Sequence, residues 1–229
     1  MTQDQDLTDV RERAKDGDAS AMYELAMALY EQDPRANLEE SAYWLMRSAK
    51  AGYPFGQYMV GKWYARGVYT RANPNEASRW ISRATESPEV VELVQKEAAA
   101  GDGDALCTLG TLHFNGEHVE QNREKAFDCY KLSAEQEVPR AMYNLARNYE
   151  CGYGCEVDLE LAYYWYDRAA HRGVSIAAER LGAWYLFGHH DFEIDYRKAH
   201  LYFRMAAAFG EPGGLRYMQV HGLTPERVN

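Results

Sequence analysis

Small and apolar positions recur in register along this chain. Five times a small residue is followed four positions on by Leu or Val, then at once by Ala or Gly. Three residues later comes a usually aromatic side chain. The instances are Ala21-Leu25-Ala26-Leu29, Gly56-Val60-Gly61-Tyr64, Ala105-Leu109-Gly110-His113, Ala141-Leu145-Ala146-Tyr149 and Ala177-Leu181-Gly182-Tyr185. Their starts are 35, 49, 36 and 36 residues apart. Positions i, i+4, i+5 and i+8 share one face of a helix, so each instance predicts an amphipathic helix. The Ala or Gly at i+5 admits a close neighbour, and the aromatic at i+8 fills the volume beside it. Gly67, Gly116, Gly152 and Gly188 follow at i+11, where a helix end turns left-handed. In the first instance Gln32 takes that place and Asp33-Pro34 is the breaker.

A second helix follows each first one. Its signature is a small residue, an aromatic at +3, small residues at +7 and +8, and Gly at +11. Ala162-Trp165-Ala169-Ala170-Gly173 and Ala199-Tyr202-Ala206-Ala207-Gly210 are complete. Ser41-Trp44-Ser48-Ala49-Gly52 varies the small residues, Ala77-Trp80-Ala84-Thr85 ends at Pro88, and Ala126-Cys129-Ser133-Ala134 lacks the aromatic and ends at Glu137. The small residues let helix pairs nest while the aromatics plug the seams. The long spacing holds an extra helix, about 89–100. Val10, Ala14, Gly17, Asp18, Ala21 and Leu25 match Val94, Ala98, Gly101, Asp102, Ala105 and Leu109 at a constant offset of 84. Residues 1–87 therefore read as a starter helix with two repeats. Residues 88–229 read as a second starter helix, three repeats and a terminal helix over Pro212 to Val220. The whole is expected to be one continuous solenoid with a joint near Pro88. A repeat of this period means stacked units that bury their apolar faces on one another. The expected fold is all-α, a right-handed α/α superhelix (solenoid) of helix-turn-helix repeats.

The fourth unit carries the pattern nearly whole: Ala141-Leu145-Ala146-Tyr149-Gly152, then Ala162-Trp165-Tyr166-Ala169-Ala170-Gly173. It resembles the Sel-one-like repeat family, a relative of the tetratricopeptide repeats, over roughly residues 19 to 210. Gln32, Pro88, Cys129, Glu137 and the inserted helix depart from it. The resemblance implies an adaptor or scaffold in protein complexes, with bacterial members linked to signalling, envelope regulation and host interaction. Some secreted, cysteine-rich members are described as penicillin-binding or β-lactamase-like.

Charge narrows the partners. A net charge of −10 and a pI near 5.2 argue against nucleic acid and against an anionic membrane surface. Met1 to Leu7 shows no basic region leading into an apolar stretch, and no later apolar run is long enough to span a bilayer. The expectation is a cytoplasmic protein. Four cysteines in 229 residues do not make a disulfide scaffold.

In helix-pair superhelices the first helices line the concave side. Residues at i+2 and i+6, turned away from the core stripe, are expected to face that groove: Tyr23, Met27, Tyr58, Lys62, Cys107, Thr111, Tyr143, Arg147, Glu179 and Ala183. Asn144 and Arg180 adjoin them at i+3, and Arg66 and Arg140 lie near helix ends. The set holds Tyr and Arg, the types enriched at interaction hot spots. The candidate partner-binding residues are thus Tyr23, Met27, Tyr58, Lys62, Arg66, Arg140, Tyr143, Asn144, Arg147 and Arg180. The sharpest form of the reading is a groove gripping an extended acidic or C-terminal peptide, with Asn144 and Arg147 on its oxygens. The blander form has the arginines paired with acidic residues of neighbouring units.

Catalytic signals are absent. No Ser is followed three on by Lys, as a β-lactamase-like hydrolase would need. No phosphate-binding loop, His-Glu-x-x-His motif or dinucleotide fingerprint occurs. His118, Cys151, Cys155, His189, His190 and Asp191 fall on successive loops, and two thiolates with imidazoles can hold zinc. The Cys-x-x-x-Cys turn serves helix capping equally well, or a local disulfide in an exported chain. Cys107 reads as inert, Cys129 as a small buried hydrophobe and His113 as a core histidine. The expectation is a non-enzymatic protein-binding module without metal or cofactor, with a regulatory or immunity protein as a narrower form. The alternative is a β-lactamase-like or peptidoglycan-related hydrolase.

Overall fold

The computed structural model describes residues 3–223, with side chains from Leu7 onward except that of Asp191. Among the described residues the chain is helical without strands, an α/α solenoid fold. It packs as two compact units that divide between Val94 and Gln95. The first holds α1 (Gln3–Lys15), α2 (Ala19–Gln32), α3 (Leu38–Lys50), α4 (Pro54–Arg66) and α5 (Pro74–Ala84). The division falls inside α6 (Pro88–Ala99). The second holds α7 (Gly103–Asn115), α8 (Arg123–Glu135), α9 (Pro139–Cys151), α10 (Leu159–His171), α11 (Ser175–Phe187), α12 (Tyr196–Ala208) and α13 (Gly213–Val220). A short 3-10 turn, His189–Asp191, follows α11. The inserted and terminal helices thus form close to the predicted spans.

Repeats two to five close by the same device, whereas the first ends α2 at Asp33 in an extended conformation. Gly67, Gly116, Gly152 and Gly188 stand at φ between 67° and 76°, ending α4, α7, α9 and α11 in the left-handed region. The loop then returns to the first helix. The backbone N–H groups of Asn73, Asn122, Asp158 and Asp195 donate to the carbonyls of Tyr64, His113, Tyr149 and Tyr185 at 2.8–2.9 Å. The side chains of those same four residues cap the second helix, accepting from its first exposed N–H groups. One residue therefore both pins the loop and starts α5, α8, α10 or α12.

The helix pairs interlock one position away from where the aromatic pattern points. Every second helix buries a large side chain at +4: Leu45, Ile81, Tyr130, Tyr166 and Phe203. The aromatics at +3 vary: Trp44 and Tyr202 are buried, while Trp80 and Trp165 are only half-buried. The +4 side chain enters the space left by the small i+5 residue of the partner helix. A Cβ added to Gly61 would lie 2.5 Å from Ile81, one on Gly110 2.8 Å from the Tyr130 ring, and one on Gly182 2.6 Å from Phe203. This corrects the reading of the third repeat. Its seam is filled by Tyr130, so Cys129 is half-buried rather than a core residue. His113 is also half-buried, its Nδ1 3.2 Å from the Glu120 carbonyl oxygen, and does not enter the core.

Buried serines at small positions tie the pairs further. Ser41 Oγ donates to the Ala26 carbonyl, Ser48 Oγ to that of Ala19 and Ser133 Oγ to that of Gly103, each at 2.6 Å. Glu137, where the pattern calls for Gly, adopts φ +63°. Its carboxylate is held by Arg172 at 2.6 Å and Arg168 at 2.9 Å, which fastens the α8–α9 turn to α10.

Gly182→Val should cost about 1–3 kcal/mol by overpacking Phe203, read as a lower denaturation midpoint in urea. A second expectation concerns acid. The Arg172 guanidinium, with help from Arg168, holds the Glu137 carboxyl below its ordinary value of 4.5. A depressed carboxyl stabilises the fold above that value, and the contribution disappears as pH falls through the lower folded one. Glu137→Gln should therefore lower the melting temperature at pH 7, and the difference from the natural chain should shrink as pH falls below 4.5.

Candidate functional site

The first helices are the central layer of each unit. In the first unit α2 packs against α1, α3 and α4; in the second α11 packs against α10, α12 and α13. Little of their surface stays open, and this changes the expected groove. Tyr58, Lys62, Cys107 and Arg140 are buried. Lys62 Nζ lies 5.5 Å from the Tyr58 ring, and Arg140 Nη2 donates to Thr108 Oγ1 at 3.2 Å and toward Cys107 Sγ at 3.6 Å. These residues form the interior of their helices' neighbourhood and are not an open lining. Burial pushes the Cys107 thiol upward in spite of Arg140, so it is held as a neutral thiol. Tyr23 joins a trio of rings with Tyr53 and Phe55, at 5.6 and 6.3 Å. Met27 is half-buried beside it in sequence, and Arg66 is exposed at the end of α4.

In the second unit the structure gathers Tyr143, Asn144 and Arg147 of α9 with Arg180 of α11. The Arg147 guanidinium lies 5.7 Å from the Phe114 ring and 6.0 Å from that of Tyr143. Phe114 packs edge-on to Tyr153 at 5.3 Å, and Arg123 stands 4.7 Å from Tyr153 and 5.9 Å from Phe114. Two guanidinium groups and three rings thus alternate across α7, the start of α8, α9 and the loop after α9. Cation–π contacts of this kind leave the guanidinium edges open to further acceptors. Among the described residues neither Arg147 nor Arg123 meets a carboxylate.

Arg180 behaves differently. It donates to Glu150 Oε1 at 3.5 Å, and that carboxylate is only 6% exposed. Glu150 also accepts from Tyr166 Oη at 2.6 Å, and His190 Nε2 lies 3.1 Å away. Burial, reinforced by the Glu150 carboxylate, raises the Tyr166 phenol well above its ordinary value. Burial opposes the Arg180 charge, yet Tyr166 and Glu150 together raise its pKa. Glu150 is therefore a structural anchor that positions Arg180 and holds the turn after α11 through His190. The residues missed in the sequence, Phe114 and Glu150, both lie at i+9. Extending the i+2, i+6 stripe by one further turn would have found them.

The cysteines and histidines of the loops do not assemble. Cys151 is exposed, Cys155 half-buried, and both are free thiols. Among the described residues no group of three or more His, Cys, Asp or Glu converges as a metal site requires. The Asp191 side chain, part of the expected loop cluster, lies outside the described residues. No described helix is long and apolar enough to cross a membrane.

The Sel1 repeat pattern matches residues 19–53, 54–87, 103–138, 139–174 and 175–208. The chain belongs to the Sel1 repeat family. Each of the five matched spans is one helix pair. A Sel1-like repeat-containing protein of Schizosaccharomyces pombe is 26% identical over 145 residues, 60% of this chain and 21% of the relative. The chitin synthase regulator SKT5 of Saccharomyces cerevisiae is 25% identical over 163 residues, 69% of this chain and 22% of the relative. The chain thus spans about a fifth of the length of these curated relatives. A protective antigen of uropathogenic Escherichia coli displaying the same repeat fold superposes with a TM-score of 0.54 at 24% identity. That alignment covers 94% of this chain and 44% of the antigen. Sel1 repeat proteins serve generally as protein-interaction scaffolds, and the repeat fold is typically non-catalytic.

Glu150→Ala would leave the buried Tyr166 hydroxyl without its acceptor, at a cost of about 1–3 kcal/mol. Tyr166→Phe in the Glu150→Ala background should recover part of that loss in urea unfolding.

Proposed function

We propose that this chain is a protein-binding module, and that the face formed by α7, α9 and α11 in its second unit receives an acidic segment of a partner protein. The observation that carries the reading is Arg147. Its guanidinium is held between Phe114 and Tyr143, and no carboxylate of the described residues neutralises it. Placing a cation on rings orders it before binding, which lowers the entropy lost when a partner arrives. The Arg123 guanidinium on Tyr153 offers a second point along the same face. Arg180, fixed by Glu150, supplies a third donor whose position does not depend on the partner. Tyr143 and Asn144 lie between them along α9 and supply amphipathic and hydrogen-bonding contact. The surplus of acid elsewhere on the chain repels an acidic ligand from other surfaces and favours this one. The role is adaptor or scaffold and is carried out by binding alone, in the cytoplasm.

The test is affinity capture with the natural chain and with Arg147→Glu, compared by quantitative mass spectrometry. Partners bound through this face should fall about tenfold or more in the variant, and recovery should decline with added salt. Equal recovery of every partner by Arg147→Glu would overturn the assignment of the face.

A further inference from the structure

Between α3 and α4 the packing leaves a cleft of about 360 Å³. Its buried lining is largely apolar: Ala42, Leu45, Val60 and Trp63, with Tyr64 beside them. Tyr43 and Tyr69 line it too and are both more than half exposed.

The corresponding place is filled in other repeats. Ala42 follows the small residue that opens the second-helix pattern, and its counterparts are Phe127 and Tyr163. The counterparts of Tyr64 are Tyr149 and Tyr185. Phe127 packs edge-on to Tyr149 at 5.4 Å, and Tyr163 edge-on to Tyr185 at 6.3 Å. At the latter seam the loop adds Phe192. Its ring lies 5.5 Å from both Tyr163 and Tyr185, and 5.2 Å from Trp184, the counterpart of Trp63. In the first unit Ala42 brings no ring. The loop from Gly67 to Asn73 is also one residue shorter than that from Gly188 to Asp195. An aromatic shelf remains there without the ring that covers it elsewhere.

Charge at the rim has the same character. Arg47 stacks on Tyr43 and Trp44 at 5.6 and 5.3 Å, and its counterpart Arg168 stacks on Tyr164 and Trp165 at the same two distances. Arg168 also holds the Glu137 carboxylate at 2.9 Å. Among the described residues Arg47 holds no carboxylate, and neither does Lys50, which lines the cleft with it. Glu39 lines the opposite end, at the start of α3, and so sets a direction.

We infer that this cleft receives an aromatic side chain from a partner protein, flanked by an acidic residue. The ring takes the place that Phe127, or Tyr163 with Phe192, takes within the chain itself. The carboxylate goes to Arg47 and Lys50, away from Glu39. Burial of one ring on Trp63 and Tyr64 supplies the affinity, and the two cations supply orientation. The inference concerns a different surface from the α7/α9/α11 face and does not depend on it.

The test is a titration of ¹⁵N-labelled protein with acetyl-Gly-Phe-Asp-Glu-amide, followed at the Trp63 indole N–H. A saturable shift is expected. The peptide with Ala in place of Phe should bind about tenfold more weakly, and that with Asn-Gln in place of Asp-Glu about threefold more weakly. Ala42→Phe should fill the cleft as Phe127 does and abolish the shift. If that variant does not fold, Lys50→Glu is the arm that decides: it should weaken the acidic peptide and leave the Asn-Gln peptide unchanged. Arg147→Glu should change nothing. The inference is overturned by an absence of saturable shift at Trp63 up to about 10 mM peptide. Equal binding of the Phe and Ala peptides, undiminished binding to folded Ala42→Phe, or loss of binding in Arg147→Glu would each overturn it too. So would a Lys50→Glu substitution that changes the affinities of the acidic and amide peptides by the same factor.

Discussion

Everything in this protein is placed by the fit of one large side chain into one small one. In three of the five repeats the +4 residue of the second helix occupies the space vacated at i+5 of the first. Where i+5 is Gly61, Gly110 or Gly182, no Cβ can be added without displacing Ile81, Tyr130 or Phe203. Close-packed interiors resist such changes because a misfit of one methyl group has nowhere to go. Two polar devices then set the ends of each pair. The loop residue that caps the second helix also bonds back to the carbonyl at i+8, and buried serines tie second helices to first-helix carbonyls. The interlock fixes rotation about each helix axis, and so decides which residues of the first helices face outward.

The periodic part of this arrangement was readable in the chain. Spacing located the helix pairs, the inserted helix and the terminal helix, because every copy must bury the same face on its neighbours. The identity of the knob was not readable from the most conspicuous residues. Trp and Tyr at +3 draw attention, yet Tyr130, Tyr166 and Phe203 at +4 are rings too, so residue type does not say which of two adjacent large side chains fills the seam. Tyr130 shows the consequence: once +4 is known to be the central position, Cys129 at +3 no longer needs to fill a gap. Likewise, helical periodicity alone places Tyr58, Lys62, Cys107 and Arg140 opposite the core stripe. It does not register that the first helices are packed on several sides, which is why those four are buried.

The same geometry separates structural from available charges. Glu137 with Arg168 and Arg172 is an internal fastening, and the Glu150 carboxylate is already used on Tyr166 and in positioning Arg180. Arg147 and Arg47 have rings beneath them and no carboxylate among the described residues. Repeats that share one scaffold can therefore differ in what they present. Where an aromatic or acidic side chain within the chain completes a seam, that seam is closed; where it is missing, as at Ala42, the space is left open. The cleft proposed to receive a partner's ring is such a place, where the internal pattern is left incomplete.

That view depends on the interlock being a true steric coupling and not a coincidence of composition. A double-mutant cycle on Gly61 and Ile81 tests it most directly, using Gly61→Ala, Ile81→Ala (which removes the γ carbon that an added Cβ would meet) and the pair, with unfolding free energies from urea titration. The account predicts that shrinking Ile81 rescues part of the cost of the added methyl, with a coupling of about 0.5 kcal/mol or more. Strictly additive effects of the two substitutions would contradict it.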